Sequence, residues 1–253
     1  MRLNTIETGQ GQPLVLLHGW GLHGGVWDTL VPLLAPRFRC IVIDLPGHGE
    51  SPPVEGGLDA WADACLAVAP PRARWLGWSL GGMIALAAAL QKPVAIERLF
   101  LVATTPRFVT APDWPHAVAP EMLAQFAAEL EADWRRTVEK FLILQTLGGT
   151  SGTAVLRALR AMVLGRVGAD RAGLVTGLRI LETADLRARL GEISAPVQVL
   201  TGAHDRLTPA AAARALAAAL DGEFTAMPGA AHAPFLSDPA AFVRWIDAAT
   251  VAA

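Results

Sequence analysis

The sequence LGWSLGG, residues 76–82, places one serine between glycines where an apolar run ends and an alanine-rich run begins. Glycine permits tight bends and close approach of two backbones, so we predict a sharp turn from a strand into a helix that presents Ser79. A Gly-x-Ser-x-Gly pattern in this context is typical of a serine nucleophile. The alternative interpretation is an ordinary turn serine without a chemical role.

Short apolar runs followed by turn residues recur on both sides of this motif. They are residues 14–19, 40–47, 74–79, 99–106, 197–205 and 224–232, with helix-like segments at 26–34, 58–68, 80–91 and 210–220. Near-continuous apolar strands alternating with helices predict an α/β protein whose mostly parallel central sheet has helices on both faces. Residues 2–8 are interpreted as an antiparallel edge strand.

The alternation of strands and helices stops between residues 106 and 187. This region has helical patterns at 120–147, 153–164 and 171–186 and no convincing strand. A long helical insertion between consecutive strands predicts a lid over a site at the carboxyl ends of the strands. We therefore divide the chain into an N-terminal core part (1–105), a helical lid subdomain (106–187) and a C-terminal core part (188–253).

Composition excludes several classes of protein. The 253 residues carry a net charge of −2, which indicates no nucleic-acid partner. The N-terminus lacks a signal-peptide pattern, and the longest uncharged stretch, residues 75–91, contains Ser79 and three glycines, so we predict no membrane span. Cys40 and Cys65 are interpreted as buried thiols rather than a disulfide or metal site. We expect a cytoplasmic protein and a monomer.

A serine hydroxyl needs a base that removes its proton, and His232 is the best candidate. It follows the last predicted strand, in the loop GAAHAPF, and comes last in the order serine, acid, histidine. The alternative is a loop histidine without function. Asp205, in LTGAHDRLTP after the penultimate strand, is the best candidate for the acid that orients the imidazole.

The other histidines and Asp44, which would break the order serine, acid, histidine, are not assigned catalytic roles. His18 and His48 lie in glycine-rich turns and are predicted to hold neighbouring backbone, and Asp44 is predicted to brace the turn around Gly47 and Ser51. Three further histidines have no placement at a strand end that singles them out as the base: His23, His116 and His204.

Acyl transfer also requires hydrogen-bond donors for the negatively charged tetrahedral intermediate. We predict that the backbone N–H groups of Leu80, directly after the serine, and Trp20, in the loop after the first parallel strand, supply them. The sequence shows no metal-ligand spacing, no P-loop and no dinucleotide fingerprint, so we expect no metal site and no cofactor.

These residues resemble the α/β-hydrolase superfamily across essentially the whole chain. Within it, the sequence is similar to the pimeloyl-acyl-carrier-protein methyl ester carboxylesterases of biotin synthesis. The similarity lies in LLHGWGL (16–22), WLGWSLGG (75–82), TVEKFLILQT (137–146), LETADLR (181–187) and HAPF (232–235). The HG and Gly-x-Ser-x-Gly motifs are common to the superfamily, whereas the tryptophans beside them and FLxLQT discriminate more sharply.

The resemblance implies an α/β-hydrolase fold, a Ser79–Asp205–His232 triad and oxyanion donors at Trp20 and Leu80. It implies substrate contacts from Trp20, Ser79, Leu80 and His232, and acyl-chain contacts from the lid residues Phe141, Leu142, Ile143, Leu144 and Gln145. The alternative for Phe141 and its neighbours is packing within the lid, since aromatic helix positions are often buried in the core. It further implies an acidic acyl carrier protein as partner, docked by basic lid residues that correspond to Arg136, Lys140, Arg157 and Arg160. Thr153 departs from this pattern, since related esterases can carry another arginine there.

The distribution of charge is compatible with that partner. Residues 135–179 contain eight basic and two acidic side chains, a net charge of +6 against −8 for the rest of the chain. Arg136 and Lys140 are four residues apart and Arg157 and Arg160 are three apart, so each pair shares a helix face. The alternative is a solvated helix face whose charges are compensated by acids elsewhere.

The leading prediction is a serine carboxylesterase that hydrolyses the methyl ester of pimeloyl-acyl carrier protein. One alternative is a broad carboxylesterase or lactonase acting on small free esters, which would not depend on the basic lid. Another, from a different class, is a ligand-binding receptor built on a hydrolase scaffold. The fold alone does not choose among them.

Overall fold

A computed structural model describes residues 2–165 and 168–251. Its centre is a seven-stranded sheet in the order β1-β3-β2-β4-β5-β6-β7. The strands are β1 (Thr5–Thr8), β2 (Gln12–Leu17), β3 (Phe38–Ile43), β4 (Ala73–Trp78), β5 (Ile96–Val102), β6 (Val197–Gly202) and β7 (Glu223–Met227). All pairings are parallel except that of β1 with β3, which confirms the predicted parallel sheet and antiparallel edge strand.

Ten α-helices accompany the sheet in the described part of the chain. They are α1 (Val31–Leu34), α2 (Leu58–Val68), α3 (Leu80–Gln91), α4 (Pro120–Ala132), α5 (Trp134–Thr146), α6 (Gly152–Gly165), α7 (Arg171–Thr183), α8 (Ala210–Ala219), α9 (Pro234–Ser237) and α10 (Pro239–Val251). Strands β2 and β4 and helix α3 are almost wholly buried and apolar, as a sheet covered on both faces requires.

Two predicted helical segments are interrupted. Residues 26–34 form a 3-10 turn (Gly24–Trp27) and the short α1 rather than one helix. Pro32 has no N–H and its ring would clash with a carbonyl four residues earlier, so a longer helix cannot run through it. The segment 120–147 divides at Asp133, whose side chain accepts a hydrogen bond from Arg136 N–H and begins α5.

Helices α4 to α7 lie between β5 and β6, and we call them the helical insertion. Within it, α4 packs against α5 and α7, and α5 packs against α6. Helix α5 also contacts the core directly, because Gln145 O accepts a hydrogen bond from His232 N–H at 3.0 Å. The helical insertion therefore covers the carboxyl edge of the sheet.

Candidate active site

Ser79 occupies the turn between β4 and α3, as predicted. Its backbone has φ 56° and ψ −119°, a conformation that L-residues rarely adopt. Two hydrogen bonds hold it there: Ser79 N–H donates to Val102 O at 2.9 Å, and the Thr104 hydroxyl donates to Ser79 O at 2.7 Å. Both partners follow or end β5, so the neighbouring strand fixes the turn.

The glycines of the motif are required by close backbone contacts. A Cβ at Gly77 would lie 2.4 Å from Gly81 O, and a Cβ at Gly81 would lie 2.5 Å from Leu17 O. Any side chain at these positions would push α3 away from β4 and β2. The serine reaches the edge of the sheet because helix and strands meet this closely.

Three side chains form a hydrogen-bonded series from the turn into the core. Ser79 Oγ lies 3.0 Å from His232 Nε2, and His232 Nδ1 lies 2.8 Å from Asp205 Oδ2. His232 is 1% exposed and the Asp205 side chain is fully buried. The structure thus brings together the three residues predicted from widely separated loops, in the arrangement that activates a serine nucleophile.

Asp205 is held as an anion despite its burial. Burial opposes ionisation, but the electrostatic attraction of His232 and the hydrogen bonds from His232 and Thr208 outweigh it and lower the pKa of the Asp205 carboxyl below its ordinary value. An ionised carboxylate at this place keeps the Nδ1 proton on His232 and leaves Nε2 free to accept the Ser79 proton.

Sequence reasoning missed the groups that fix the backbone of His232. The Trp78 indole N–H donates to His232 O at 2.8 Å, and His232 N–H donates to the carbonyl of Gln145. The first bond comes from the residue before the nucleophile and the second from α5. Trp78 was visible as an unusual residue in the motif, but its partner 154 positions away was not.

The predicted oxyanion donors, the N–H groups of Trp20 and Leu80, belong to segments that lie next to Ser79. The N–H groups of Trp20 and Leu80 have no protein acceptor among residues 2–165 and 168–251. Leu80 directly follows Ser79, and Gly19, the residue before Trp20, is close to Ser79 as well, since a Cβ there would be 3.3 Å from Ser79 Cβ. Two free N–H groups beside a nucleophile are the arrangement that stabilises a tetrahedral oxyanion.

His18 and His48 hold the loop that carries Trp20, which confirms their predicted structural role. His18 Nε2 accepts from Leu45 N–H at 2.9 Å, and His48 Nε2 accepts from Gly21 N–H at 3.3 Å. Burial lowers the pKa of His18 to about 3 and that of His48 to about 4, the mutual repulsion of the two rings adding to the shift at His18. Both rings are therefore neutral and can accept these bonds at neutral pH.

Asp44 braces the same region, as predicted. Its Oδ1 accepts from Gly24 N–H at 2.6 Å and its Oδ2 from Glu50 N–H at 3.1 Å, while the Ser51 hydroxyl donates to its carbonyl. Burial opposes the ionisation of the Asp44 carboxyl, but its electrostatic interaction with His18 and the hydrogen bonds from Asn4, Gly24 and Glu50 lower its pKa below the ordinary value. Cys40 and Cys65 are buried free thiols, also as predicted.

The five α5 residues predicted to contact an acyl chain do not share one face. Phe141, Leu142 and Gln145 are buried, and the Phe141 ring lies 5.0 Å from the Trp20 ring. Ile143 is 38% exposed and, with Leu144, lines an outer groove of about 340 Å³ between α4 and α5. The Phe126 ring connects the two regions, 5.9 Å from Phe141.

The four predicted docking cations differ in their pairing. Lys140 contacts Glu129 at 2.8 Å and Arg160 pairs with Glu139. Arg136 and Arg157 are exposed, and their side chains have no ion-pair partner within the described residues. Arg166, which belongs to the same basic region of the sequence, lies outside the described residues.

Metal chemistry was not expected from the sequence. Over residues 2–165 and 168–251, no three His, Cys, Asp or Glu side chains are placed so that they could hold a metal ion.

Comparisons with known proteins agree with this geometry. A family model described as "Alpha/beta hydrolase family" matches residues 14–245. A protein of Yersinia enterocolitica named pimeloyl-[acyl-carrier protein] methyl ester esterase is 44% identical over 241 residues, covering 92% of this chain and 91% of the relative. A protein of the same name from Xanthomonas oryzae is 46% identical over 231 residues and 90% of both chains.

Solved structures share the fold. An esterase from Exiguobacterium antarcticum superposes with a TM-score of 0.87 and covers 97% of this chain and 94% of its own, at 20% sequence identity. This likeness supports the architecture of the sheet and the helical insertion.

Proposed function

The chain belongs to the alpha/beta hydrolase family, and on that premise we propose that it is a serine carboxylesterase that hydrolyses the methyl ester of pimeloyl-acyl carrier protein. The products are pimeloyl-acyl carrier protein and methanol, and the free carboxylate serves biotin biosynthesis. The observation that carries the reaction class is the hydrogen-bonded series Ser79–His232–Asp205. The substrate follows from the names of the relatives.

The geometry supports a two-step mechanism. Ser79 Oγ attacks the ester carbonyl carbon while His232 Nε2 takes its proton, and the N–H groups of Trp20 and Leu80 hold the oxyanion. The tetrahedral intermediate collapses, the bond to the methoxy oxygen breaks, and His232 gives its proton to the departing methanol. Water then attacks the acyl-enzyme with His232 as base, which releases the carboxylic acid and restores Ser79.

We assign residues 106–187 as a lid. Ser79, His232 and Trp20 are each about 1% exposed, so the site is covered. The Trp20 indole donates to Leu174 O of α7 at 2.8 Å, and Phe141 of α5 packs on the same ring. A substrate reaches Ser79 only if these contacts between the helical insertion and the Trp20 loop open.

Substrate contacts follow from the same surfaces. Trp20, Leu80 and His232 surround the reacting carbonyl at Ser79. Phe141, Leu142 and Gln145 supply the buried face of α5 toward the acyl chain, and Ile143 and Leu144 line the outer groove where the chain would approach. A largely apolar groove next to the Phe126 and Phe141 rings suits a seven-carbon acyl chain.

An acyl carrier protein is the proposed partner, and its charge matches the lid. Arg136 and Arg157 are free to meet its acidic groups, while Lys140 and Arg160 would have to exchange Glu129 and Glu139 for the partner. Long-range attraction of this kind raises association rates and weakens with added salt. We therefore place docking on α5 and α6.

The cellular setting is also a proposal. Among the described residues, no helix is both long and apolar enough to cross a membrane. We propose a monomeric protein of the cytoplasm that meets its substrate on the carrier, without a nucleic-acid or membrane partner.

The test compares initial rates on methyl pimeloyl-acyl carrier protein and on dimethyl pimelate at low and moderate salt, with Ser79→Ala as control. We expect faster hydrolysis of the carrier-bound ester, a preference that falls with salt, and loss of both activities in the variant. Equal or faster hydrolysis of dimethyl pimelate would establish a general esterase instead. Tight ligand retention without turnover would establish a receptor.

A further inference from the structure

Asp205 receives more hydrogen bonds than the triad requires. Its Oδ1 accepts from the backbone N–H groups of Leu207 and Thr208, each at 2.9 Å. Its Oδ2, the oxygen that faces His232, also accepts the Thr208 hydroxyl at 2.6 Å and the Thr201 hydroxyl at 3.1 Å. Two threonine hydroxyls therefore share one carboxylate oxygen with the catalytic imidazole.

The two hydroxyls differ in the length and number of their hydrogen bonds. Thr208 Oγ1 makes the shorter bond to Asp205 and lies 3.5 Å from His232 Nδ1, so it touches both members of the pair. Thr201 Oγ1 divides its one proton between Asp205 Oδ2 and Thr208 O, the latter at 3.3 Å. Both threonines are fully buried, so water cannot replace a hydroxyl that is removed.

A hydroxyl bonded to Oδ2 has two chemical effects. It fixes the rotation of the carboxylate, so that Oδ2 stays in line with Nδ1. It also draws charge toward itself, which weakens the attraction between Oδ2 and the imidazolium that forms during catalysis. The first effect raises the rate. The second makes His232 a weaker base than it would be if Asp205 Oδ2 were bonded to His232 alone.

We propose that Thr208, assisted by Thr201, is a positioning residue that orients Asp205 and sets the basicity of His232. The inference rests on the proposed role of His232 as the base for Ser79. The only other charged groups on the Asp205 loop, His204 and Arg206, are exposed. Asp205 itself is the charge that faces the ring, and Ser79 faces its other nitrogen.

The test measures kcat/KM against pH with 4-nitrophenyl propionate, a small ester that needs no carrier. In Thr208→Val, which has nearly the same shape but no hydroxyl, we expect the acid limb to move up by about half a pH unit. At pH values well below the midpoint, this shift lowers kcat/KM about threefold, in addition to any fall in the plateau value of kcat/KM. Thr208→Ser retains the hydroxyl and should keep the wild-type midpoint, and Thr201→Val should shift it less.

Thr137→Val is the matched control. Thr137 is buried and its hydroxyl donates to the backbone carbonyl of Asp133 at 2.9 Å, away from the triad. We expect no change in its acid limb. An unchanged midpoint in Thr208→Val, or the same shift in Thr137→Val, would overturn the inference.

Two further measurements separate the possible failures. Ser79→Ala abolishes hydrolysis if the proposed mechanism holds, so residual activity in that variant would contradict the mechanism rather than the role of Thr208. Proton NMR of the wild-type protein tests the inference even if the Thr208 variants do not fold. A slowly exchanging Thr208 hydroxyl proton close to the His232 Nδ1 proton is expected, and rapid exchange of that hydroxyl with solvent would contradict the inference.

Discussion

At the scale of single residues, the strained backbone of Ser79 is what presents the nucleophile. A residue in such a conformation costs about 1–3 kcal/mol and persists only where its surroundings hold it. Here Val102, the last residue of β5, and Thr104, just after it, hold the turn, and Gly77, Gly81 and Leu17 define the space around it. The turn is therefore specified by three strands together.

Gly81→Ala tests this arrangement. The new Cβ would lie 2.5 Å from Leu17 O and 2.6 Å from His18 O, so α3 or the Trp20 loop must shift. Because Leu80 N–H and Trp20 N–H move with them, we expect kcat/KM to fall by about a hundredfold or more, the range seen when one oxyanion donor is lost. Gly191→Ala is the control, since nothing lies within 4 Å of a Cβ there; equal losses would refute the steric explanation.

The histidines beneath the Trp20 loop predict a dependence of stability on pH. The folded-state pKa of His48, about 4, lies below its unfolded value of 6.5, so the unfolded chain binds more protons between these pH values. Stability is therefore retained above pH 6.5 and declines as the pH falls toward 4. At about 1.4 kcal/mol per pKa unit, His48 alone accounts for about 3 kcal/mol of that decline.

Urea unfolding between pH 7 and pH 4 measures the effect. His48→Gln removes the titrating ring but keeps an acceptor for Gly21 N–H, so its stability should decline less steeply than that of the wild-type protein over this range. Parallel declines would show that carboxylates rather than His48 dominate acid unfolding.

At the scale of elements, ion pairs join the two segments that connect the helical insertion to the core. The Asp185 side chain, in the segment that follows α7, forms an ion pair with Arg107, in the segment that precedes α4, at 2.8 Å. It forms a second ion pair with the nearby Arg187, also at 2.8 Å. Arg187 also reaches Asp113 at 2.8 Å, and the Arg187 side chain hydrogen bonds are the main cause of the low pKa of Asp185. A charged network at this place resists separation of the two connecting segments.

Asp185→Asn removes the charge that both arginines share. We expect the melting temperature to fall by about 2–4 °C, as for a loss of about 1 kcal/mol in a protein of this size. Hydrogen exchange should increase in α4 and α7 and not in β2 to β4. Glu192→Gln breaks an exposed pair with Arg189 that joins no separate segments, and it should change neither quantity measurably. Increased exchange throughout the sheet would contradict a local role.

At the scale of the whole molecule, charge is divided between two regions. In the sequence, residues 135–179 hold the basic excess and the remaining chain is acidic, and the described helices of that range, α5 to α7, cover the carboxyl edge of the sheet. Pairing of Lys140 and Arg160 with acids inside the helical insertion reduces this excess locally. Arg136 and Arg157 are consequently the strongest candidates for attraction of an acidic carrier.

Arg157→Glu tests that attraction. We expect kcat/KM for the carrier-bound ester to fall about tenfold at low salt and less at high salt, because screening weakens the interaction. Hydrolysis of dimethyl pimelate should not change. Arg72→Glu makes the same charge change directly before β4, at the opposite edge of the sheet, and should leave both rates intact. A loss on both substrates in Arg157→Glu would indicate damage to the lid rather than to docking.

The sequence alone determined the strands of the sheet, the turn at Ser79 and the three triad positions. These features follow from local patterns: apolar runs specify buried strands, glycines allow the turn, and the carboxyl ends of parallel strands meet at one edge. Residues as distant as Ser79 and His232 could therefore be placed together without coordinates. The positions of α2 and α3 followed from the same patterns.

Only the tertiary structure decided which groups support that site. The bonds from Thr208 and Thr201 to Asp205, the two faces of α5 and the pairing of Lys140 with Glu129 depend on distances of a few ångströms between segments. Residue type shows that a threonine can donate, whereas packing decides what it meets. The division of 120–147 at Asp133 was also missed, because the apolar pattern continues past this residue. The backbone N–H of Asp133 closes α4, and its side chain caps the start of α5.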